Sequence, residues 1–418
     1  MDKASKRTQR IERVILAILF GLIVGGVAAR MQDLGYPEHL TWDEPHFAEN
    51  ARNFLHNRPD WNDHPPLGKL LIAAGMIVVG DNSTGWRLVP LLFGLALIGL
   101  AYFLTASAFR SRMAGLFAAA FVAADGFVLA YAKTALIDEM LATMMVAAAL
   151  SLWRARSWIG IAIGAVFIGL AMSIKFSGAV MAVPLACIIV WRFGRSSKSA
   201  GLLALSFLLI VGVYAAQFSF GLALTGSAHG LDDVFRKSVD FLRRHLAATE
   251  GKHPQTSRWY TWFIPLKTIT LHYAREGDTV RTLSTTGHPV LWWGVNGAVL
   301  WSAFDSVRRR REHASATDEK AVPNWGSGQL YLLLLWFLPL LPWIITDRDS
   351  YLYHYLPSYV FGLMLLGGVV STIAGRKAIQ LGFVVVVALV FVYCVPVWAK
   401  IPFSADSLLH FLFFPHRH

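Results

Sequence analysis

Residues 41–69 read TWDEPHFAENARNFLHNRPDWNDHPPLGK and crowd acids, histidines and aromatics between two long apolar regions. Asp43 and Glu44 are adjacent, His46 and Glu49 follow within two turns, and Asp60, Asp63 and His64 lead into Pro65 and Pro66. A helix with Pro45 in its first turn loses no hydrogen bond, because first-turn N–H groups have no intrahelical partner, and this puts Asp43 or Glu44 at or just before the N-cap. Phe47, Ala51, Phe54 and Leu55 give that helix one apolar side, suited to lying on a bilayer with its two carboxylates aimed at a cavity. The competing reading is a solvated loop with an ordinary capping acid.

The flanking composition is that of a membrane protein: of 418 residues 55% are hydrophobic and 15% charged, and the mean hydropathy is +0.49. The net charge of +12 does not point to nucleic acid, because basic residues recur in short clusters between apolar segments, as topology signals do. Cys187 and Cys394 each sit in an apolar run, so neither a disulfide framework nor a cysteine metal site is expected. Residues 3–13 and 14–29 imitate the charged and apolar regions of a signal peptide, and we read them as an uncleaved first span.

A spanning helix needs about 20 mainly apolar residues. Candidates fall at 13–30, 88–108, 113–132, 137–153, 157–174, 178–192, 200–221, 288–304, 328–346, 352–373 and 378–398. Residues 67–80 are apolar but short, the length of an interfacial or re-entrant segment. Charge decides their placement. Lys3, Lys6, Arg7, Arg10 and Arg13 put the N-terminus in the cytoplasm. If 67–80 does not cross, then Arg110 and Arg112, Arg154 and Arg156, Arg192, Arg195 and Lys198, the arginine run 308–311, and Arg376 and Lys377 all fall on the cytoplasmic side. If it crosses, every one of these clusters moves outside. The expected architecture is an all-α polytopic membrane protein with about eleven transmembrane helices, N-terminus in and C-terminus out. It forms a single domain over 1–418, with interfacial helices in a first outer loop at 31–87 and a large outer loop at 221–287.

This topology gathers the first loop, the 82–87 turn, 133–139, Lys175, the large loop and 347–355 on the outer face. A charge near hydrocarbon costs about 2.5–3.5 kcal/mol on insertion scales and usually faces a cavity or a partner. Arg87 and Lys175 are such charges, with snorkelling to headgroups as the alternative. Asp125, inside the third span, is expected to be buried and paired, or neutral. The large loop is expected to hold one surface helix over 234–246. There is no HExxH and no Gly-rich phosphate loop, and His410, His416 and His418 are too scattered to indicate a metal. A divalent ion is not indicated.

Six motifs together resemble those of the protein O-mannosyltransferases, glycosyltransferase family 39. These are the Asp43-Glu44 pair, His64-Pro65-Pro66-Leu67-Gly68-Lys69, Arg87 with Leu136-Ile137-Asp138, Lys175-Phe176-Ser177-Gly178, Gly287-His288-Pro289 through Trp292-Trp293, and Tyr353-His354-Tyr355-Leu356-Pro357-Ser358. The resemblance implies the type C glycosyltransferase fold, a polyprenyl-phosphate-mannose donor, membrane lipids as surroundings and a protein hydroxyl as acceptor. The large loop is too short for the β-trefoil domain of eukaryotic members, so the chain looks like the bacterial form, in the inner (cell) membrane with its active site outside. Lys133 stands where the family more often has arginine, and Glu139 adds an acid after Asp138.

The chemistry so implied is attack of an acceptor hydroxyl on an activated anomeric carbon, which needs a base on one side and cations for the departing phosphate on the other. Asp43 can be the base, with Glu44 beside it in the catalytic pair orienting the base or acceptor more than reacting, and Arg87 and Lys175 can hold the phosphate. His64, Lys69, Asp138, Tyr353 and His354 shape the site or bind acceptor. Direct displacement inverts the anomeric configuration, so a β-linked donor gives an α-linked product. Two other readings are a lipid-sugar enzyme of the same fold acting on a glycolipid or polysaccharide, and a transporter. The transporter would require inverted repeats, which the sequence does not display.

Overall fold

The computed structural model describes all residues except 1–2, 60–63, 227–229, 248–252, 266, 315–325, 347, 374–375 and 411–418. Asp60, Asp63, His416 and His418 lie outside the described residues.

α1 (Lys3–Met31) leads into the first loop, where α2 (Glu44–Leu55) and α3 (Leu67–Val79) precede α4 (Ser83–Phe109). α5 (Arg112–Ala124) and α6 (Gly126–Ala132) form one apolar stretch bent by 66°. α7 (Asp138–Arg154), α8 (Trp158–Ile174), α9 (Ala182–Phe193) and α10 (Ser197–Leu224) follow, and α9 continues a 3-10 turn over Phe176–Met181. The large loop holds α11 (Leu231–Leu246) and a hairpin of β1 (Thr270–Glu276) and β2 (Thr279–Ser284). α12 (Pro289–Ala314), α13 (Gly326–Phe337), α14 (Leu341–Ile345), α15 (Leu356–Ser371) and α16 (Lys377–Ala399) complete the bundle, and β3 (Phe403–Ser404) pairs with β2.

Each of the eleven expected apolar stretches is occupied by helix. Among the described residues, seven helical stretches are by themselves long and apolar enough to cross a membrane, and the bent α5–α6 pair makes an eighth. The chain is an integral membrane protein. α15 runs through the middle, with every residue from 356 to 368 buried, whereas α10 leaves Phe207 and Leu208 about two-thirds exposed, as a lipid-facing helix does.

α3 has 13 residues and rises roughly 20 Å, too little for a hydrocarbon core of about 30 Å. Packing gives the same result. A Cβ at Gly68 would lie 2.6 Å from Ile137 Cγ2, just before α7, and one at Gly75 would lie 2.4 Å from the carbonyl oxygen of Gly85, in the first turn of α4. Both ends of α3 therefore meet the same end of the bundle, where α4 and α7 begin.

Two features depart from the sequence expectation. The large loop is not purely helical: β1, β2 and β3 form an antiparallel sheet, with Gly277 supplying the left-handed turn at φ +59° and Tyr273 opposite Thr282. The alternation in Thr279–Ser284 that marks this strand is only six residues long. On α2, Phe47, Ala51 and Phe54 are buried as expected, but Leu55 is exposed and Ala48 takes its place.

The bend between α5 and α6 explains Asp125. Its backbone is extended, which ends α5, and its Oδ1 accepts from Val128 N at 3.1 Å, which caps α6. Oδ2 accepts from His288 N at 2.9 Å and from the Tyr359 hydroxyl at 2.8 Å. One carboxylate thus ties α6 to the start of α12 and the first turn of α15. Removing it strands three donors in the interior at about 1–3 kcal/mol each. Asp125→Ala is expected to lose at least about 3 kcal/mol of stability, and Tyr359→Phe markedly less. Thermal unfolding in detergent checks this, and an unchanged midpoint for Asp125→Ala would show that these bonds do not hold the bend.

Candidate active site

The site is built from the start of α2. Glu44 is its first residue and is fully buried. Its Oε1 accepts from Arg87 Nε at 2.7 Å and Ala135 N at 2.9 Å, and its Oε2 accepts from Arg87 Nη2 at 2.8 Å, Thr41 N at 2.9 Å and Thr41 Oγ1 at 3.1 Å. Burial alone would push its pKa up, but the Arg87 hydrogen bonds and charge, with the Ala135 and Thr41 amides, hold it below the ordinary glutamate value.

Arg87 also donates to Leu34 O at 3.2 Å, Pro37 O at 2.8 Å and His39 O at 3.1 Å. With the two bonds to Glu44, all five guanidinium N–H groups are used. One sequence expectation is corrected here. Arg87 has no donor left for a phosphate, and it staples the first loop to α2 and α4. Glu44 faces that staple and borders neither of the chambers described below, a placement that suits a group orienting the base more than one that reacts.

Asp43 differs in every respect. It is the N-cap of α2, yet its side chain makes no capping bond. Trp42 before it adopts the left-handed region at φ +49°, a strained conformation for an aromatic residue that turns the chain into α2. The Asp43 carboxylate is half-buried and opens into a chamber of about 420 Å3. Burial raises its pKa above the ordinary aspartate value and Asp138 adds to this, while His46, Lys175 and His253 pull it down.

Around Asp43 the same chamber presents Lys175, Arg348 and two histidines, His46 and His253. Lys175 Nζ donates to Asp138 Oδ1 at 2.7 Å and sits 5.1 Å from the centre of the Tyr353 ring, with Tyr351 stacked on Tyr353 at 5.3 Å. A second chamber of about 240 Å3 shares His64, Lys175, Arg348, Tyr351 and Tyr353 with the first, and continues into the apolar walls of Val180, Leu242, Pro342 and Trp343. A polar space and an apolar one therefore meet at a cationic seam.

The other expected residues shape these walls. His64 borders both chambers and stacks on Phe47 at 5.8 Å. Lys69 is buried beneath it and donates to His64 O at 2.8 Å, so it fixes the turn that presents the histidine. His354 stacks on Trp343 at 3.6 Å, and its Nδ1 accepts from Tyr351 N at 3.1 Å. Sequence reading did not single out His253, Arg348, Tyr351 or His46 as site residues. His46 and Arg348 lay in stretches already placed on the right face, but nothing local marks His253, which arrives from the large loop against Trp42.

Breaking a buried ion pair by removing one partner costs about 3–5 kcal/mol. Arg87→Ala should destabilise by about that amount, and Arg87→Lys should fall between it and the parent, because lysine keeps the charge without the planar fork. Thermal unfolding of the three proteins checks this. Parent-like stability for Arg87→Ala would overturn the stapling role.

Family models match the chain in three segments: "C-terminal four TMM region of protein-O-mannosyltransferase" over residues 231–411, and two described as dolichyl-phosphate-mannose-protein mannosyltransferase over 63–216 and 21–86. The chain is 24% identical to the polyprenol-phosphate-mannose–protein mannosyltransferase of Mycobacterium tuberculosis, over 90% of its own length and 86% of the relative's. It is 25% identical to that of Mycolicibacterium smegmatis, over 79% and 77%. Among solved structures, the protein O-mannosyltransferase Pmt1-Pmt2 complex of S. cerevisiae bound to the sugar donor has a TM-score of 0.83 at 12% identity, covering 96% of this chain and 92% of that one. ArnT from Cupriavidus metallidurans has a TM-score of 0.55 at 15% identity, covering 91% and 62%. These likenesses identify the fold as the type C glycosyltransferase fold, and the three models between them match 21–216 and 231–411. The chain belongs to the protein O-mannosyltransferase family.

Proposed function

We propose that this chain transfers mannose from polyprenyl-phosphate-mannose to serine or threonine hydroxyls of proteins, with Asp43 as the general base. The observation that carries this reading is a carboxylate with no hydrogen-bonding partner among the described residues, bordering the same chamber of about 420 Å3 as Lys175 and Arg348. The relatives from Mycobacterium and Mycolicibacterium are named for this donor and for a protein acceptor.

In the reaction the acceptor hydroxyl oxygen attacks the anomeric carbon. Its proton passes to Asp43, the bond from carbon to phosphate oxygen breaks, and the electron pair leaves with the phosphate. Lys175 and Arg348 offset the charge that develops there, which is where preorganised cations contribute most. The isoprenoid lies along Val180, Pro342 and Trp343, and the acceptor enters on the side of His46 and His253. Attack opposite the leaving phosphate inverts the anomeric centre.

The site lies on the outer face of the cell membrane in this proposal, with the N-terminus in the cytoplasm. Asp43, Asp138 and Lys175 belong to one end of the bundle, and Arg110, Arg154 and Arg192 to the ends of α4, α7 and α9 opposite it. The positive-inside rule then orients the whole.

Four measurements test this. With polyprenyl-phosphate-[14C]mannose and a Ser/Thr-rich peptide, purified protein should label the peptide, and Asp43→Asn should lower the rate about 10²- to 10⁴-fold. Because burial raises the Asp43 pKa, the folded state holds that proton more tightly than the unfolded chain, and ionisation at neutral pH costs stability. Asp43→Asn should therefore unfold at the same temperature as the parent or higher, and a large fall would make Asp43 structural. The base must be ionised, so kcat/KM should decline as pH drops, with a midpoint above the aspartate reference of 3.8. Finally, Lys175→Ala and Arg348→Ala should raise KM for the donor more than for the peptide, and the opposite split would assign them to the acceptor.

A further inference from the structure

A cavity of about 860 Å3, larger than either chamber of the active site, opens at the far end of the bundle where α4, α7 and α9 terminate. α7 links the two regions: Asp138 borders the catalytic chamber and Arg154 borders this cavity, a rise of roughly 24 Å apart.

Its lining combines four arginines, Arg110, Arg154, Arg156 and Arg192, with Trp153 and Trp191. None of the four is paired with a carboxylate among the described residues. Attraction to helix C-termini accounts for one arginine on each of three helices, but not for four guanidiniums around one space, where they repel one another. The walls hold two of them, Arg154 and Arg192, in place. Arg154 Nε donates to Ser107 Oγ at 2.8 Å, and the guanidinium lies 5.6 Å from the Phe103 ring. Arg192 donates to Trp153 O and packs 5.4 Å from the Trp191 ring, while its Nε is buried with no partner. Trp153 is stacked between Tyr331 at 4.9 Å and Trp191 at 6.2 Å.

Such a set suits an anion that several planar forks can engage at once, and phosphate oxygens fit that geometry best. The rim indicates where the phosphate comes from. Trp158, Ile159 and Trp191 are each more than half exposed beside the cavity, as aromatic and apolar residues are at the level of lipid headgroups. We propose that this cavity binds the phosphate headgroup of an anionic phospholipid in the leaflet opposite the catalytic chamber, the cytoplasmic leaflet in the topology proposed above.

The test uses the full chain, delipidated and held in phosphatidylcholine nanodiscs, with bound lipid read by native mass spectrometry. The probes are dioctanoyl phosphatidylglycerol, dioctanoyl phosphatidylcholine and glycerol 3-phosphate. The parent should retain one phosphatidylglycerol and no added phosphatidylcholine. R110Q/R156Q, which alters two exposed side chains, should bind it roughly thirtyfold more weakly, and R195Q/K198Q, which removes the same charge outside the cavity, should bind like the parent. Should R110Q/R156Q fail to fold, Arg154→Lys, which keeps charge but loses the fork, should weaken binding severalfold. Equal losses in R195Q/K198Q, parent-like binding in both cavity variants, or equal retention of phosphatidylcholine would each overturn the proposal. Displacement of the lipid by an equal concentration of glycerol 3-phosphate would overturn the lipid as source and assign the cavity to a soluble phosphate ester.

Discussion

The Glu44–Arg87 ion pair is the constraint on which the active site depends. Its desolvation cost makes a buried pair a poor source of net stability, but it fixes geometry wherever every donor and acceptor is satisfied. Here the pair collects the carbonyls of Leu34, Pro37 and His39 and the amide of Ala135 into one network. Other buried cations extend the same device along the loop. Lys133 donates to the carbonyls of Ala29, Arg30 and Gln32, Arg30 to those of Gly26, Val122 and Ala123, and Lys400 to that of Tyr36. The stretch 32–41 is thereby tied to α2, to α4 and to the residues that follow α6 and α16.

Two adjacent carboxylates are driven apart in character by this arrangement. Successive residues at a helix start are rotated by roughly 100° about the axis, so a helix anchored through Glu44 must turn Asp43 elsewhere, and elsewhere is the chamber. Glu44, saturated with donors, has its pKa held down, while Asp43, half-buried without a donor, has its pKa raised. In the proposed mechanism a carboxylate kept ionised for structure stands beside a neighbour made more basic for chemistry, a division of labour that environment alone creates.

Much of the fold was legible because membrane spans announce themselves by length and apolarity: each of the eleven expected stretches is helical, and the shortness of 67–80 correctly marked a segment whose two ends meet the same side. Of the motif residues, Asp43, His64, Asp138, Lys175, Tyr353 and His354 border one or both chambers. What the sequence could not convey was which groups point at each other. Arg87 looked like a phosphate contact because a lone arginine at a span's start is costly, and the cost is met instead by Glu44, 43 positions earlier. His253 and Arg348 reach the chamber from distant segments with no local periodicity, and the three-stranded sheet pairs β2 with a two-residue strand beyond the last helix. Such pairings are properties of the packed bundle.

The account's central claim is that Glu44 and Arg87 position while Asp43 reacts. It is tested most directly by mannosyl transfer per folded molecule in Asp43→Asn and in the double variant Glu44→Gln/Arg87→Gln, which leaves no uncompensated charge behind. The account predicts that the double variant, once folded, transfers mannose at a rate within about tenfold of the parent, while Asp43→Asn, although stably folded, is slower by about 10²-fold or more. A folded double variant as inactive as Asp43→Asn, or an Asp43→Asn protein that turns over freely, would contradict it.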